Sequence, residues 1–382
     1  METVCKLNQC TGCNACVNSC KLDAIQLIDN MKSMNAVIDM TKCVNCDVCK
    51  NVCPNNNAVE KHEQIYWKQG WAKEIEMRNS GSSGGIASAL ISSFIENGGY
   101  VCSCIFSKGK FKFICTNDLK EAKKFAGSKY VKSYPENVAK EIKKHIEDGK
   151  KVLFIGLPCQ VAGMLNFIPK RFHDKLYTID LICHGTPSHK LFEWYLEENN
   201  VNILELKDIK FRYKGGMGLN IKGLSMPGTV DRYLISFLQA LNYTENCYEC
   251  QYSTINRVSD LTLGDNWGTD LQNEMLNGVS LIGCQTEKGC ELLDMTKLTL
   301  CDVDIEKSKK ENGNLVHPSV APKFRDEFFV KVNEGENYNR LIFKYFPKQC
   351  VRQMIKGVAI KLKLKSVRGG IQNSFLYLNG VE

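Results

Sequence analysis

CTGCNACVNSC, residues 10–20, contains four cysteines separated by two, two and three residues. In this spacing the first three thiolates bind one iron–sulfur cube, and the fourth reaches a neighbouring cube. The pattern occurs again as CVNCDVCKNVC at residues 43–53, and Pro54 follows it. Two matching runs therefore predict two [4Fe-4S] clusters in the first part of the chain.

The crossover between the runs divides eight cysteines into two sets of four. The first cluster is predicted to take Cys10, Cys13, Cys16 and Cys53, and the second Cys43, Cys46, Cys49 and Cys20. A zinc site or a disulfide framework is the alternative, but structural zinc needs only four ligands in paired CxxC form. Residues 1–57 are therefore predicted to be a bacterial-type two-[4Fe-4S] ferredoxin domain.

The chain has 382 residues, so the part after the ferredoxin domain is long enough for one large domain or two smaller ones. The whole chain opens on the polar METVCKLNQC, and it has no run of about 18 apolar residues that would suggest a membrane span. A chain with 20 cysteines and no export signal is expected in a reducing compartment, where thiols bind metals. We therefore expect a cytoplasmic protein.

Positive charge collects near the C-terminus. The formal net charge is +8, and no acidic residue occurs between Asn337 and Val381. The basic residues there are Arg340, Lys344, Lys348, Arg352, Lys356, Lys361, Lys363, Lys365 and Arg368. Residues 336–382 are therefore interpreted as a basic tail. A solvated surface helix with a loose end is the simpler explanation, and peripheral contact with an anionic membrane or a partner is the alternative.

The segment NSGSSGGIASALISSFIENGG, residues 79–99, places a serine- and glycine-rich start before apolar residues at helical spacing. A helix start of this composition can offer free N–H groups to an anion. A plain capped helix would account for the serines equally well. The candidate cofactor contacts are Ser82, Ser83, Gly84 and Gly85.

The segment GSKYVKS begins at Gly127 and is either a turn or a second cofactor contact, through Gly127, Ser128, Lys129 and Tyr130. Before it, GGYVCSCIFSKGKFKFIC reads as a hairpin, in which Cys102 and Cys104 are expected to have no ligand role.

Two strand–turn–helix units follow. KVLFIG at residues 151–156 precedes LPC and a helix, and LYTIDLIC at residues 176–183 precedes HGTP and a helix. This alternation predicts a parallel sheet, and the continuous apolar runs indicate helices on both faces. Cys159 and Cys183 then follow the carboxyl ends of two strands, the edge where open α/β sheets bind ligands.

A second cysteine pair, Cys247 and Cys250 in ENCYECQYS, can complete a set of four with Cys159 and Cys183. The set is interpreted as a third [4Fe-4S] cluster, which would continue the electron path from the first two; a structural zinc is the alternative. The other thiols lack such spacing and are expected to be structural: Cys5, Cys115, Cys284, Cys290, Cys301 and Cys350.

Eight segments in this order resemble the beta-subunit family of coenzyme F-420 hydrogenases and dehydrogenases: SGGIASAL, GSKYVKS, GLPCQVAGML, DLICHGTP, FRYKGG, CYEC, SDLTLGDNWG and GVSLI. The resemblance covers nearly all of residues 60–335, and the ferredoxin unit is a frequent fusion to this family. It implies an FAD-containing reductase in which an iron–sulfur cluster feeds the flavin, and the flavin exchanges hydride with a 5-deazaflavin.

On this resemblance, Cys159, Cys183, Cys247 and Cys250 match the family's cluster cysteines, and the two serine- and glycine-containing segments become flavin contacts. The expected fold is α+β, with the ferredoxin domain followed by a mixed α/β flavin- and cluster-binding domain. The expected division is 1–57 ferredoxin domain, 58–78 linker, 79–165 and 166–335 the two parts of the family region, and 336–382 basic tail.

The function predicted from sequence is an iron–sulfur flavoprotein oxidoreductase. It would work with a ferredoxin or a catalytic subunit and with coenzyme F-420 or another organic carrier. The alternatives are a non-catalytic electron-transfer subunit and a reductase of cell-envelope polysaccharide metabolism. No catalytic residue is assigned: His184, beside Cys183, is the only histidine at a suspected site, and it either orders the turn or moves a proton.

Overall fold

The computed structural model describes residues 2–214, 216–221, 224 and 226–363. The first unit contains β1 (Glu2–Thr3), α1 (Ala15–Ser19), β2 (Ile25–Asp29), β3 (Met34–Ile38) and α2 (Val48–Asn51). Its strands form a sheet in the order β1-β3-β2, and each short helix begins just before the third cysteine of a run. The residues before the two helices, Asn14 and Asp47, adopt left-handed conformations that turn the chain tightly there.

The second unit is built on one large sheet. Its strands are β4 (Tyr66–Ala72), β5 (Tyr100–Ser107), β6 (Lys110–Thr116), β7 (Val152–Gly156), β8 (Leu176–Leu181), β9 (Arg212–Tyr213), β10 (Gly216–Met217), β11 (Leu261–Asp265), β12 (Ser280–Cys284) and β13 (Leu298–Cys301). Eight of them form a sheet in the order β13-β4-β12-β11-β8-β7-β5-β6, and β9 pairs with β10 alone. The central strands β5, β7, β8 and β11 are parallel, as the two strand–turn–helix units predicted.

The helices of this unit are α3 (Ile75–Ser80), α4 (Ile86–Glu96), α5 (Leu119–Ala122), α6 (Val138–Glu147), α7 (Pro158–Phe167), α8 (His189–Glu198), α9 (Arg232–Leu238), α10 (Glu287–Asp294), α11 (Ile305–Glu311), α12 (Arg325–Asn333), α13 (Tyr338–Tyr345) and α14 (Pro347–Lys361). They cover both faces of the sheet. Along β7, Leu153 and Ile155 pack with α4 and α10, whereas Val152 and Phe154 pack with α6 and α7. This alternation explains the continuous apolar run of the strand.

Residues 58–78, expected to be a linker, instead contribute β4, which lies inside the sheet between β12 and β13. A side chain at Gly70 would begin 2.0 Å from the backbone oxygen of Thr299, so the strand requires glycine where β13 approaches. Gly70, Lys68 and Gln69 interrupt the apolar alternation, which is why the segment does not resemble a strand in sequence.

Two further differences concern the hairpin and the tail. Cys102 and Cys115 lie opposite each other across β5 and β6 and are joined by a disulfide, although free thiols were expected. The expected basic tail over 336–382 begins inside the core, because Tyr338, Ile342 and Cys350 are buried with α8 and α9. The part of the tail from residue 364 lies outside the described residues.

The ferredoxin unit is fixed to the large sheet by polar contacts and close packing. Asp29, at the end of β2, accepts hydrogen bonds from the Ser188 hydroxyl at 2.7 Å and from the Tyr134 hydroxyl at 3.0 Å. Asn18 of α1 donates to the Glu136 carbonyl at 2.6 Å. These contacts come from two separate elements of the unit, so its position relative to the sheet is defined.

A buried ion pair joins β8 to the loop that carries Cys250. The Arg257 guanidinium is 1% exposed and the Asp180 carboxylate is 0% exposed. An Nη atom of Arg257 lies 2.8 Å from Oδ1 of Asp180. Arg257 also donates to the carbonyls of Tyr252, at 2.9 Å, and Leu181, at 3.3 Å. The pair therefore satisfies groups that would be costly to bury alone.

Replacing Arg257 with methionine should leave the Asp180 carboxylate buried without a partner. We expect the free energy of unfolding to fall by about 3–5 kcal/mol, the usual cost of breaking a buried pair. Urea denaturation followed by circular dichroism measures it. The control is Lys143→Met, which removes an exposed pair with Glu147 and should cost at most about 0.5 kcal/mol. Equal stability of the two variants would contradict the prediction.

Candidate functional site

In the ferredoxin unit, the last cysteine of the second run lies beside cysteines of the first run. Cys53, from the second run, lies close enough to Cys13 and Cys16 for its charge to affect both thiols. Burial first, and then the charges of Cys13 and Cys53, raise the pKa of Cys16. Cys49 in turn lies near Cys43 and Cys46. Within the described residues, no three Cys, His, Asp or Glu side chains close on a single metal ion.

Sequence spacing gave no sign that Cys5 belongs beside these ligands. Its thiol interacts with Cys10 and with Cys53, and the Asn55 amide approaches its sulfur to 3.7 Å. The hydrogen bond with Cys10 is the main cause that raises the pKa of Cys5 to about 11. Cys5 therefore packs against the first set of cysteines.

The structure also brings together Cys159, Cys183, Cys247 and Cys250, which line one cavity of about 270 Å³. Cys159 lies in the first turn of α7, just after β7, and Cys183 lies just after β8. Burial first, and then the charges of Cys247 and Cys250, raise the pKa of Cys183 to about 12. Four thiols from three separate segments thus share one desolvated site.

Local backbone features position these cysteines. Pro158 opens α7 immediately before Cys159, a place where its missing N–H is no loss. Gly185 has a φ of 134°, and a side chain there would begin 2.3 Å from the Tyr243 ring. Any other residue at position 185 would clash with this ring, so the turn after Cys183 requires glycine. The Thr244 hydroxyl lies 3.6 Å from the Cys247 sulfur.

The cysteine cavity faces the ferredoxin unit. The buried Lys132 ammonium donates to the Thr11 carbonyl at 3.2 Å, and its charge lowers the pKa of Cys159 against the dominant effect of burial. Tyr252, also buried, lies near cysteines of both sets, including Cys13 and Cys159. The two cysteine sets are thus separated by a thin layer of protein side chains.

Helix α7 approaches the ferredoxin cysteines even more closely. A side chain at Gly163 would begin 2.7 Å from the sulfur of Cys13, so glycine allows the helix backbone to contact a cysteine of the first set. Cys159 lies one helical turn earlier on the same helix. One rigid helix therefore spans the distance between the two cysteine sets.

The two segments predicted to hold a cofactor do meet. The hydroxyl of Ser82 accepts a hydrogen bond from the Ser128 backbone N–H at 2.9 Å. Tyr130 stacks on Phe237 with ring centres 4.5 Å apart and lies beside Arg212. Ser82 also lines a second cavity of about 350 Å³.

Other residues of these segments serve the packing of the sheet. The Gly84 N–H donates to the Ser280 hydroxyl at 3.0 Å, and a side chain at Gly84 would begin 2.4 Å from the Gly70 carbonyl. The Ser83 hydroxyl donates to the Val279 carbonyl. Gly85, with a φ of 79°, passes against the backbone of α3.

The predicted contacts Lys129 and Gly127 have different surroundings. The Lys129 ammonium donates to the carbonyls of Phe125 at 2.8 Å and Ala126 at 3.2 Å, so it caps its own turn. Gly127 has a φ of 87° and open space where a side chain would be. Within the described part of the chain, neither Lys129 nor Gly127 lines the cysteine cavity or the second cavity.

The second cavity is lined by an indole and several cations. Arg212 forms an ion pair with Asp265 and lies 5.0 Å from the centre of the Trp267 ring. Lys214 donates to the carbonyls of Ser83 and Asn277. Arg212 and Lys214 both belong to the FRYKGG segment. The sequence resemblance includes that segment, but the sequence alone assigns it no role.

The two cavities are neighbours along the carboxyl edge of the sheet. The cysteine cavity follows β7 and β8, and the second cavity follows β11, at Trp267 and Gly268. His184 lines the cysteine cavity and also lies within electrostatic reach of Asp265 and Arg212. Burial is the main cause that lowers the pKa of His184. This edge is where open α/β sheets bind ligands.

Two segments of the chain match models of known protein families. Residues 149–305 match the family model for the C terminus of the beta subunit of coenzyme F420 hydrogenase/dehydrogenase, and residues 9–80 match a 4Fe-4S dicluster domain. The resemblance predicted from sequence and the ferredoxin domain are therefore confirmed. No curated protein matches the chain.

Among solved structures, the chain is similar to one from the F420-reducing [NiFe] hydrogenase complex of Methanosarcina barkeri. The identity is 18% and the TM-score 0.48, over 67% of this chain and 90% of the other.

The ammonium of Lys214 should make ligand binding in the second cavity depend on pH. Burial first, and then the charges of Arg78 and Arg212, lower its pKa to about 8. The cation is therefore lost as the pH rises through about 8. We expect calorimetry to give roughly tenfold weaker pyrophosphate binding at pH 9 than at pH 7, because most Lys214 is neutral one unit above its pKa.

In Lys214→Met, binding should be weak at both pH values. The control Lys307→Met alters another lysine of the same cavity. In this variant, pyrophosphate binding should still weaken as the pH rises through about 8. If the loss persists in Lys214→Met, another group is responsible.

Proposed function

We propose that this chain conducts electrons between its ferredoxin clusters and an organic carrier. It joins a 4Fe-4S dicluster domain to the C-terminal domain of a coenzyme F420 hydrogenase/dehydrogenase beta subunit. A third [4Fe-4S] cluster at Cys159, Cys183, Cys247 and Cys250 and an FAD in the second cavity would complete the path. One observation carries the proposal: the cysteine cavity lies between the ferredoxin cysteines and the second cavity.

The cysteine cavity has the chemistry that a cluster needs. Four thiols line this cavity of about 270 Å³, and a [4Fe-4S] cluster is held by four cysteine thiolates. Burial raises the pKa of Cys159 and Cys183, so binding must displace their protons. Lys132 supplies a nearby positive charge that favours the thiolates.

The second cavity suits the ring system and phosphates of a flavin. Its volume of about 350 Å³ lies within the usual range for ligand pockets. The Trp267 indole offers a flat apolar wall, and Arg212 and Lys214 offer positive charge to an anionic group. When bound, a flavin would accept electrons singly and pass them on in pairs as hydride, which clusters cannot do.

The residues of the chain would act by positioning and by excluding water. Tyr252 and Lys132 are buried side chains that contact the region between the two cysteine sets, where they reduce the room for water. The Asp265 carboxylate fixes the Arg212 guanidinium over the Trp267 ring. Arg212 is therefore oriented before any ligand arrives, which lowers the entropy lost on binding. A 5-deazaflavin such as coenzyme F-420 is the proposed carrier, and another organic acceptor would fit the same scheme.

Iron content tests the third cluster. Protein purified without oxygen should contain about twelve irons per chain, because each cube contains four. Cys183→Ser should reduce the content to about eight, since one ligand of the third set is lost. The control Cys301→Ser removes a thiol outside the three sets and should leave the iron content unchanged. About eight irons with one zinc in the unsubstituted protein would replace the third cluster with a zinc site.

Flavin content tests the second cavity independently. If the cavity holds the flavin, heating the protein to denature it should release about one FAD per chain, measured by chromatography. Met275→Trp should reduce this content at least about fivefold, because the larger side chain fills the cavity. Iron content should not change, since Met275 lines the second cavity and not the cysteine cavity.

The matched control is Val330→Trp, which adds the same ring on the exposed face of α12, where Val330 is 55% exposed. It should leave the flavin content unchanged. A protein with full iron content that contains no flavin and binds none on addition would contradict the reductase proposal and favour a non-catalytic electron-transfer subunit.

A further inference from the structure

Helix α14 exposes a continuous apolar stripe. The stripe consists of Val351, Met354, Ile355 and Val358 of the helix and of Leu362 immediately after it, which are between 42% and 65% exposed. Successive steps of three, one, three and four residues place all five on one face of a helix. An apolar face of this kind is unusual on a soluble surface unless another body covers it.

The opposite face of α14 fixes the helix to the protein. Cys350 is 2% exposed, and Gly357 lies against Thr229 and Met226, at 3.6 and 3.7 Å from the position of an added side chain. The Gln353 side chain accepts a hydrogen bond from the Val230 N–H at 3.0 Å. These contacts hold the apolar stripe outward, so it cannot turn into the core.

Cations flank the stripe, and acids do not. Helix α14 and the two residues after it contain Lys348, Arg352, Lys356, Lys361 and Lys363 but no Asp or Glu. In the part of the chain that the structure describes, Lys348, Lys361 and Lys363 form no ion pair. Their charge is therefore available to an anionic partner.

We propose that α14 docks this protein on an anionic phospholipid bilayer, with its apolar stripe at the level of the upper acyl chains. Helices that lie in the membrane interface combine an apolar face with Lys and Arg at its border. The stripe lies on a single helix, with Val351 and Ile355 along one shallow depression and Met354 and Val358 along another. A fluid bilayer can adapt to such a surface, whereas a protein partner would need a matching shape. Negative headgroups complement the cations of the flank.

The length of α14 agrees with a helix parallel to the membrane. Its 15 residues are too few for the hydrocarbon core, which takes about 20. Among the helices described here, none has the length and apolar character to cross a bilayer. The inner face of α14 contributes Gln349 and Gln353 to the second cavity, so docking would bring that cavity close to the headgroups.

Sedimentation of the complete protein with vesicles tests the proposal. Vesicles of phosphatidylcholine and phosphatidylglycerol in equal parts should bind the protein, and vesicles of phosphatidylcholine alone should bind it at least about tenfold more weakly. Binding should weaken in about 1 M salt, where the Debye length falls to about 3 Å. Equal binding to both kinds of vesicle would overturn the part of the proposal that depends on charge.

Substitutions on the stripe test the contact itself. The double variant Met354→Gln, Ile355→Gln should bind anionic vesicles at least about tenfold more weakly, because two side chains lose their apolar environment. Lys361→Gln should weaken binding about fivefold. The matched control is Leu204→Gln, at an aliphatic residue that is 70% exposed outside the helix, and it should bind like the unsubstituted protein.

Two results would overturn the proposal. The first is unchanged vesicle binding by the double variant together with loss of binding in a chain shortened after Lys363, which would assign the contact to residues 364–382. The second is absence of vesicle binding at low salt, with a dimer in size-exclusion chromatography that the double variant converts to a monomer. The stripe would then be an interface between two copies.

Discussion

The parallel pairing of β7 with β8 is the constraint on which the candidate site depends. Their register places Gly156 beside Asp180, so the chain leaves both strands at the same edge and carries Cys159 and Cys183 to one point. The buried ion pair between Asp180 and Arg257 then holds the following loop, which brings Cys250 to the same cavity. A set of four cysteines separated by up to 91 positions is thus assembled by one pair of strands and one ion pair.

The same edge explains why electrostatics differ between the two cavities. In the cysteine cavity, burial raises the pKa of Cys159 and Cys183, and the positive charge of Lys132 acts against this effect. In the second cavity, burial lowers the pKa of Lys214, while the paired carboxylate of Asp265 sustains the charge of Arg212. Under the proposed function, the first site would bind a metal cluster and the second an anionic group. His184 lines the first site and lies within electrostatic reach of Arg212 and Asp265.

What the sequence predicted well depended on short-range patterns. The cysteine runs and the strands at β7 and β8 have local spacing and apolar runs that few other structures produce. The strand β4 was missed because one of its inner residues, Gly70, is required by the approach of another strand from more than 200 positions away. Gly84 and Lys129 were predicted to contact a cofactor. In the fold, Gly84 lies against Gly70 and Lys129 donates to a carbonyl of its own turn, and the sequence indicates neither neighbour. Only the fold shows which neighbour is present.

The C-terminal region illustrates how one amphipathic pattern can serve two surfaces. From the sequence, its alternating cations and apolar residues suggested a tail added to a finished domain. In the fold, Tyr338, Ile342 and Cys350 complete the core, so removing the chain from residue 337 would expose that core. The apolar residues left over, such as Met354 and Ile355, lie on the far side of the same helix. Single exposed apolar residues are common on soluble proteins, but a contiguous apolar patch usually marks an interaction site. The retained stripe therefore points to a second apolar contact, separate from the core, and the cations beside it indicate the charge of what it meets.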